Sequence, residues 1–180
     1  MDELLKVEPS FNKEMFITKV NNIFVMLHSA IMMDDINRVR HFISDELEKK
    51  YENILTELNN KNLRQMYDEL NVKTTEIDNV SIEEDKIRIK VVIVSRYMDY
   101  LIDKTSGKFI SGINNRRIEK TNYLIFEKKI GNRYNKIDKK CPGCGANIDV
   151  NKNGKCSYCG QIFDTENYDW ILTSIDTSDV

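Results

Sequence analysis

The segment IRIKVVIVSRYMDYLI, residues 87–102, decides the fold class of this chain. Ile87, Ile89, Val91 and Ile93 recur at every second position of its first half, and Arg88, Lys90, Val92 and Val94 lie between them. Successive side chains of a β-strand point to opposite faces of its sheet, so this alternation indicates a strand with one buried face. The segment therefore predicts a long strand to about Ile102 that is apolar on one face and mixed on the other.

Shorter signals on both sides of this strand predict the rest of a sheet. Thr105-Ser106-Gly107 is a turn sequence, because glycine and small polar residues interrupt strands. It is followed by a short returning strand over Phe109–Gly112 and by a second long strand over Ile118–Ile130. Thr74–Ile82 is a weaker strand before the first one. Together these segments predict an antiparallel sheet.

The chain before residue 71 has a helical period instead. The first helix has an apolar stripe at three- and four-residue spacing, made of Phe16, Val20, Ile23, Phe24, Leu27 and Ile31. Ser10 is its predicted N-cap, because a serine hydroxyl accepts a hydrogen bond from a first-turn N–H group. Asp34 or Asp35 is predicted to cap a second, short helix. Leu63–Leu70 is predicted to be a helical turn.

A third helix is predicted after Ser44, which is its N-cap. Its apolar face is Leu47, Tyr51, Ile54, Leu55 and Leu58. Helices first and strands after predict an α+β domain, with the N-terminal helices packed on one face of the antiparallel sheet.

Length and composition exclude several classes of protein. The 180 residues suffice for one domain, with or without a small satellite, and 41% hydrophobic with 31% charged residues is a soluble, folded composition. The longest aliphatic run, Val91–Val94, is far shorter than the ~20 residues of a membrane span. Met1-Asp2-Glu3 does not resemble the start of a secretion signal. We therefore expect a cytoplasmic protein, and neither a transmembrane, a secreted nor a fibrous one.

All four cysteines of the chain form one C-x2-C-x11-C-x2-C array, made of Cys141, Cys144, Cys156 and Cys159. Thiols stay reduced in a protein without a secretion signal, so a metal site is favoured over disulfides. Four thiolates select zinc first and iron second, and they leave no open coordination position. The array therefore predicts a zinc ribbon over residues 141–165 that holds one structural Zn2+ per chain.

The ribbon has two interpretations. It either only folds a segment too small for its own core, or it also binds a partner. Lys152 and Lys155 are the two cations of residues 141–165, which is too few for strong phosphate contact. We therefore do not expect nucleic acid as a partner.

Candidate catalytic residues are few. The two histidines, His28 and His41, belong to no Ser-His-Asp or Cys-His arrangement that spacing reveals, and there is no glycine-rich phosphate loop. Asp99 is a carboxylate on the apolar face of the strand over residues 87–102. In a pocket it would act as a general base with Tyr100 as its partner. We favour the alternative, in which the strand bulges there and Asp99 is solvated, and we expect no enzyme.

Charge is distributed unevenly along the chain. The net charge is −2, but residues 104–140 contain 11 Lys and Arg against 3 Asp and Glu. Arg116, Arg117 and Lys120 are candidates to bind an anionic membrane surface, where each cation contributes ~1 kcal/mol. The alternative is that these cations lie on solvated strand faces and in a linker.

Residues 11–130 resemble the domain of the mitochondrial inner-membrane translocase subunit forty-four and its bacterial relatives. The segments that carry the resemblance follow the family order: Ala30–Asp35, Val39–Leu47, Met98–Asp103, Thr105–Gly107, Gly112, Tyr123–Lys129 and Asp169–Ile175. Some bacterial members of this family carry a zinc ribbon between the last two strands, where the cysteine array lies here.

The resemblance implies a cone-shaped fold of the nuclear-transport-factor-two type, in which a curved antiparallel sheet wraps over helices and leaves an apolar pocket. It also implies contact with protein partners and anionic lipid, and it brings no catalytic motif. We therefore expect a non-enzymatic binding or adaptor protein with an unidentified protein partner. A peripheral binder of anionic lipid and a small-molecule enzyme that uses Asp99 are the alternatives.

The segment after the last cysteine contains Trp170, the one tryptophan of the sequence. A ribbon of this size has no core for it, and burying its ~200 Å² at roughly 25 cal/mol per Å² is a large gain. We therefore expect Trp170–Ile175 to pair antiparallel with Ile118–Ile130. The chain then has a helix-plus-sheet domain, residues 9–140 and 166–177, and a ribbon over residues 141–165 inserted before the last strand.

Overall fold

The computed structural model describes residues 2–130, 139–140, 146–148, 158 and 170–179. The helices are α1 (Asp2–Val7), α2 (Lys13–Met32) and α3 (Asp45–Asn60), with 3-10 turns at Ile36–Arg38 and Arg40–Phe42. The strands are β1 (Leu63–Glu83), β2 (Lys86–Asp103), β3 (Phe109–Lys129), β4 (Lys139–Lys140), β5 (Asn147–Ile148) and β6 (Ile171–Asp179).

The main sheet is antiparallel, with the strand order β1-β2-β3-β6, and β4 pairs with β5 separately. Helices α2 and α3 pack on one face of it, where the Phe16 and Phe126 rings lie 5.6 Å apart. We call this the inner face and the opposite one the outer face. The prediction of an α+β domain with N-terminal helices on a curved antiparallel sheet is confirmed, and this arrangement is consistent with the nuclear-transport-factor-two type.

Strand β6 returns to the main sheet as the sequence predicts. It pairs antiparallel with β3, from Lys120 opposite Asp179 to Glu127 opposite Ile171. Trp170 is 5% exposed, and its ring centroid lies 5.1 Å from that of Phe16. The predicted pairing is therefore confirmed. The finer division into a domain and a ribbon over residues 141–165 stays a prediction, because most of that segment lies outside the described residues.

The predicted helix caps are right for α3 and wrong for α2. Ser44 Oγ accepts a hydrogen bond from Leu47 N at 3.2 Å, as a serine N-cap does. Helix α2 is capped by Asn12, whose Oδ1 accepts from Met15 N at 2.9 Å, while Ser10 donates to the Glu8 carboxylate. Both residue types are good caps, so the sequence pattern alone does not choose between them.

Residues 63–70 are not a helical turn. They form the first part of β1, in which Leu63 lies opposite Asp103 and Tyr67 opposite Asp99. The helical spacing of their apolar residues is overridden by this long-range pairing. The predicted helix after Asp34 or Asp35 is likewise replaced by two 3-10 turns, and neither turn has a side-chain cap. On α3, the sequence predicts that Ile54 lies on the buried apolar face, but it is 38% exposed.

Candidate functional site: an interior polar cluster and an exposed hairpin

Asp99 lies on the inner face of β2, as the alternation predicts, but it is neither a buried base in a pocket nor simply solvated. Lys120 Nζ donates to Asp99 Oδ2 at 2.6 Å, and Gln65 Nε2 donates to Asp99 Oδ1 at 2.7 Å. The side chains of Asp99 and Lys120 are 26% and 12% exposed. Three neighbouring strands, β1, β2 and β3, thus each supply one member of a half-buried group that engages both carboxylate oxygens.

An irregularity in the sheet places these residues together. Tyr97 lies opposite Ile118, but Asp99, two residues on, lies opposite Ile113. Residues 114–117 of β3 lie opposite Met98 alone, so β3 has three extra residues here, which bulge from the ladder and re-aim the strand. The sequence predicts two separate strands here, Phe109–Gly112 and Ile118–Ile130. The structure instead has one long strand, β3, with a bulge inside it.

His28 of α2 lies beside the Asp99 group. Its ring centroid is 4.3 Å from Phe24, 4.7 Å from Tyr67 and 5.4 Å from Tyr97, and its Nδ1 is 2.8 Å from the Phe24 carbonyl oxygen. Burial lowers the pKa of His28 to about 4, and burial raises the pKa of Tyr67. His28 is therefore neutral at neutral pH.

We define the interior polar cluster as His28, Gln65, Tyr67, Tyr97, Asp99 and Lys120. Sequence reasoning does not identify His28 as a member of this cluster. Its position four residues after Phe24, on the same side of α2 as the apolar stripe, is the one sequence feature that indicates it faces the sheet.

A second polar group lies deeper on the inner face. Asn122 and Ser95 are both fully buried. The Asn122 amide donates to Ser95 Oγ at 2.8 Å and to the Ile93 carbonyl at 3.2 Å, and Thr177 Oγ1 donates to Asn122 Oδ1 at 2.9 Å. These bonds join β2, β3 and β6, so this group fixes the register of the sheet, and its polar atoms are occupied. The sequence contains a signal for this group. Ser95 is two residues after Ile93 and Asn122 is two residues before Leu124, so alternation along β2 and β3 places both on the inner face.

The structure does not bring Tyr100 to Asp99. Adjacent residues of a strand face opposite ways, and the Tyr100 hydroxyl donates to the Asp68 carboxylate on the outer face. This bond raises the pKa of the Tyr100 hydroxyl. The predicted pairing of Asp99 with Tyr100 in an enzyme site is therefore wrong.

The three candidate lipid-binding cations are separated. Arg116 is exposed, and Arg117 is 41% exposed with its Nε 3.5 Å from the Glu69 carboxylate, whereas Lys120 points inward to Asp99. The same end of the sheet carries Phe109 and Ile110, which are 47% and 51% exposed. We call residues 98–118 of β2 and β3 the hairpin. It exposes three cations, Lys108, Arg116 and Arg117, and two large apolar side chains.

The family of the chain follows from its sequence. Residues 1–136 match the Tim44-like domain model. The chain belongs to the Tim44-like domain family. No curated protein matches the chain.

One solved structure similar to this Tim44-like domain is the intermembrane space region of the chloroplast protein ARC6. It is 10% identical, with coverage of 91% of this chain and 97% of that one, at a TM-score of 0.47. A likeness of this degree carries no argument about function.

The Tim44-like domain has a shallow cleft at the end of the sheet opposite the hairpin. Its volume is about 50 Å³, and its lining residues are Glu8, Ser10, Phe11, Asn12, Met15, Phe16, Lys128 and Trp170. Lys128 Nζ lies 5.9 Å from the Trp170 ring centroid and 2.9 Å from the Glu8 carboxylate. This cleft is too small for the apolar ligand pocket that the sequence predicts, and that pocket stays a prediction.

Helix α2 is long and apolar enough to cross a membrane, judged by length and composition alone. Half of its most apolar window is buried in the structure, and Phe16, Val20 and Phe24 belong to the core. The core helix of a folded domain passes the same test, so this evidence for a membrane span is weak. The sequence prediction of no membrane span considers only unbroken aliphatic runs. Such runs do not detect a helix like α2, in which polar residues interrupt the apolar ones.

The four cysteines lie outside the described residues, so the zinc prediction stays untested. Among the residues that the structure describes, there is no group of three or more His, Cys, Asp or Glu side chains that could hold a metal ion.

Proposed function

We propose that this chain is a non-enzymatic binding or adaptor protein that attaches to a protein partner through its exposed surface. Tim44-like domains are associated with protein partners and membranes, and this family membership motivates the proposal. The observation that carries the proposal is the hydrogen bonding of Asp99, which is the best carboxylate candidate for catalysis. Both of its oxygens accept hydrogen bonds, one from Lys120 and one from Gln65.

A general base needs a lone pair within reach of the proton that it removes. Within the interior polar cluster, Asp99 is instead bound through both oxygens, one of them in an ion pair with Lys120, so about half of its acceptor sites are already used inside the fold. His28 is no substitute, because the residue is 6% exposed and burial lowers its pKa to about 4. The cluster therefore supports the fold, and recognition falls to exposed residues such as Phe109 and Ile110 of the hairpin.

Co-purification from the native cell tests this proposal. We expect the wild-type chain to retain a defined protein partner in stoichiometric amount. The double variant Phe109→Ser/Ile110→Ser should lose most of it, whereas Asp99→Asn should retain it. A ligand screen by thermal shift adds a second readout. A small molecule that stabilises the wild type but not a folded Asp99→Asn variant would contradict the adaptor proposal and support an enzyme or receptor.

Attachment to an anionic membrane is the second candidate function. Arg116 and Arg117 lie on the same hairpin as the exposed Phe109 and Ile110, a combination of charge and apolar surface that suits a lipid interface. Lys120 does not take part, because it is 12% exposed and bound to Asp99. Two cations at ~1 kcal/mol each give weak binding that salt reverses.

Vesicle sedimentation separates the two candidates. Phosphatidylserine vesicles should bind the wild type at low salt and release it at high salt. Arg116→Gln/Arg117→Gln should bind several-fold less, and Lys49→Gln/Lys50→Gln, which removes two exposed cations from α3, is the matched control. A wild-type chain that ignores these vesicles at low salt would eliminate the membrane candidate and leave the protein partner.

The cysteine array supports a structural Zn2+ within this adaptor. Strand β3 ends at Lys129 and β6 begins at Ile171, so the four cysteines lie in the connection between two paired strands. Four thiolates at this spacing suit tetrahedral zinc without an open position. The metal would fold the connection and leave the inner face unchanged.

Metal analysis of the purified chain tests the zinc site. We expect close to one zinc per chain, and Cys144→Ser should lose the metal, because three thiolates bind more weakly and leave a position open. The helix-plus-sheet domain of this variant should remain folded by circular dichroism. A chain with no bound ion and with free or disulfide-linked cysteines would refute the zinc ribbon.

A further inference from the structure

A small cavity lies between α2, α3 and the start of β1. Its volume is about 10 Å³, and apolar side chains of all three elements form part of its wall. Its polar lining residues are Asp34, Asn59, Arg64, Gln65 and Lys104. A buried water molecule needs roughly 10–15 Å³. The cavity is therefore of the size of one water molecule and too small for an organic ligand.

A donor of one lining residue lacks a protein partner. Arg64 Nε is buried, and no residue that the structure describes accepts a hydrogen bond from it. A guanidinium N–H group that is removed from water without a new partner costs free energy, because its bond to water is lost. Native structures satisfy nearly all buried donors, either with protein groups or with ordered water. Arg64 Nε therefore needs an acceptor that the described side chains do not supply.

Asp34 provides the acceptor side of the same cavity. Asn59 Nδ2 donates to Asp34 Oδ1 at 2.8 Å, and Lys104 Nζ donates to Asp34 Oδ2 at 2.6 Å. Burial raises the pKa of Asp34, but these two bonds and the charges of Lys104 and Arg64 hold this pKa below its ordinary value. The carboxylate is therefore ionised at neutral pH. It then has about four acceptor sites, and the two bonds use two of them.

The charges around the cavity favour a neutral ligand. A metal cation would be repelled by Arg64 and Lys104, and a free anion would be repelled by the Asp34 carboxylate. Water is neutral, and it both accepts and donates hydrogen bonds. It therefore suits a cavity with a donor at Arg64 and an acceptor at Asp34, since a buried water typically makes about three hydrogen bonds.

We propose that one ordered water molecule occupies this cavity, where it accepts a hydrogen bond from Arg64 Nε and donates one to the Asp34 carboxylate. The water links the segment after α2 to β1. It also lies beside the interior polar cluster, because Gln65 lines the cavity and donates to Asp99. This inference goes beyond the adaptor role, because it assigns a ligand to an interior site that attachment to a partner does not require.

Nuclear magnetic resonance of the full chain tests this water in solution. A water that stays bound for longer than the protein tumbles gives cross-peaks of opposite sign in NOE and ROE spectra, whereas proton exchange gives equal signs. We expect opposite signs between water and the Arg64 Nε–H proton. Arg38, whose side chain is 56% exposed, is the control in the same spectra and should not show them.

A crystal structure tests the position of the water. We expect its oxygen within hydrogen-bond distance of both Arg64 Nε and the Asp34 carboxylate. Arg64→Lys keeps the charge but removes Nε, so crystals of this variant should lose the water. Arg38→Lys, which makes the same change at an exposed arginine, should keep it.

Four results would overturn the proposal. The first is a wild-type chain without opposite-sign cross-peaks at Arg64, and the second is a protein group that accepts the Arg64 Nε hydrogen bond. The third is a bromide ion in the cavity of bromide-soaked crystals, located by its anomalous signal, which would indicate an anion site instead. The fourth is a water that Arg64→Lys leaves in place.

Discussion

The two ends of the inner face are built from the same strands but are held together differently. At the end where β6 pairs with β3, apolar side chains such as Ile89, Phe126 and Leu172 are fully buried against the helices. At the hairpin end, the inner face instead carries Asp99 and Lys120, which are partly exposed and bound to each other. Apolar burial supplies most of the free energy of folding. The first end therefore carries stability, and the second tolerates the exposure that the proposed binding role requires.

The largest expected effect comes from removing β6. Truncation after Phe163 deletes Trp170, Leu172 and Ile175, each of which is buried in the core. Each loss costs about 2–5 kcal/mol, so together they reach the whole stability of a typical domain, about 5–15 kcal/mol. We expect urea unfolding followed by circular dichroism to show no cooperative transition.

Truncation after Thr177 is the control for this experiment, because it removes no buried apolar residue among those described. A chain truncated after Phe163 that unfolds cooperatively at the wild-type urea midpoint would contradict the role given to β6. It would mean that the sheet is complete without its last strand.

The next effect is at the hairpin end. Gly112 has φ +101°, and an added Cβ would lie 2.5 Å from the Asp99 carbonyl oxygen and 2.6 Å from Tyr100 Cα. Backbone strain and the steric clash add, so Gly112→Ala should cost about 4 kcal/mol of unfolding free energy. Gly107 has φ +71° but nothing within 4 Å of an added Cβ, so Gly107→Ala should cost only about 1 kcal/mol.

Urea unfolding of both glycine variants measures the difference between them. Equal costs would show that the close approach of β3 to β2 at Gly112 is absent. The difference between the two ends would then lose its structural basis, since this approach and the neighbouring bulge position Asp99.

A smaller effect is expected from pH at the junction of the two ends. The ordinary pKa of histidine is 6.5, and burial lowers the pKa of folded His28 to about 4. Above pH 6.5 neither state is protonated and stability is complete. As the pH falls from 6.5 to 4, the unfolded chain gains a proton that the folded chain refuses, so about 3 kcal/mol is lost at about 1.36 kcal/mol per unit.

This loss should be specific to one histidine. Across pH 4 to 6.5, unfolding free energies of His28→Leu should fall less steeply than those of the wild type. His41→Leu, which removes the other histidine of the sequence, should follow the wild type. If His28→Leu keeps the wild-type slope, then His28 is not held neutral by burial. Protonation of His28 would then not lower the free energy of unfolding.

The two ends also differ in how far the sequence predicts them. Strict alternation from Ile87 to Ile93 is a local signal, so β2 and its buried face follow from it. The tryptophan after the last cysteine likewise needs a core, so the place of β6 follows. By contrast, Leu63–Leu70 has helical spacing but pairs with residues far along the chain, and no local pattern contains that pairing.

The interior polar cluster could be predicted only in part. Alternation placed Asp99 on the inner face, and the structure agrees. The bulge over residues 114–117 sets which residues of β3 reach Asp99, and bulge positions are not written in a hydrophobic pattern. Proximity in sequence therefore groups Lys120 with Arg116 and Arg117, although Lys120 faces the interior.

The smallest and most direct effect concerns the bond between Asp99 and Lys120. A double-mutant cycle with Asp99→Asn, Lys120→Met and the double variant measures their coupling in unfolding free energy. If the pair supports the fold, each single variant is less stable than the wild type, and the coupling is about 1–2 kcal/mol. The contradicting result is an Asp99→Asn variant that is more stable than the wild type, with negligible coupling to Lys120. It would indicate that the Asp99 carboxylate lowers the stability of the fold, as catalytic groups often do, and it would contradict the adaptor proposal.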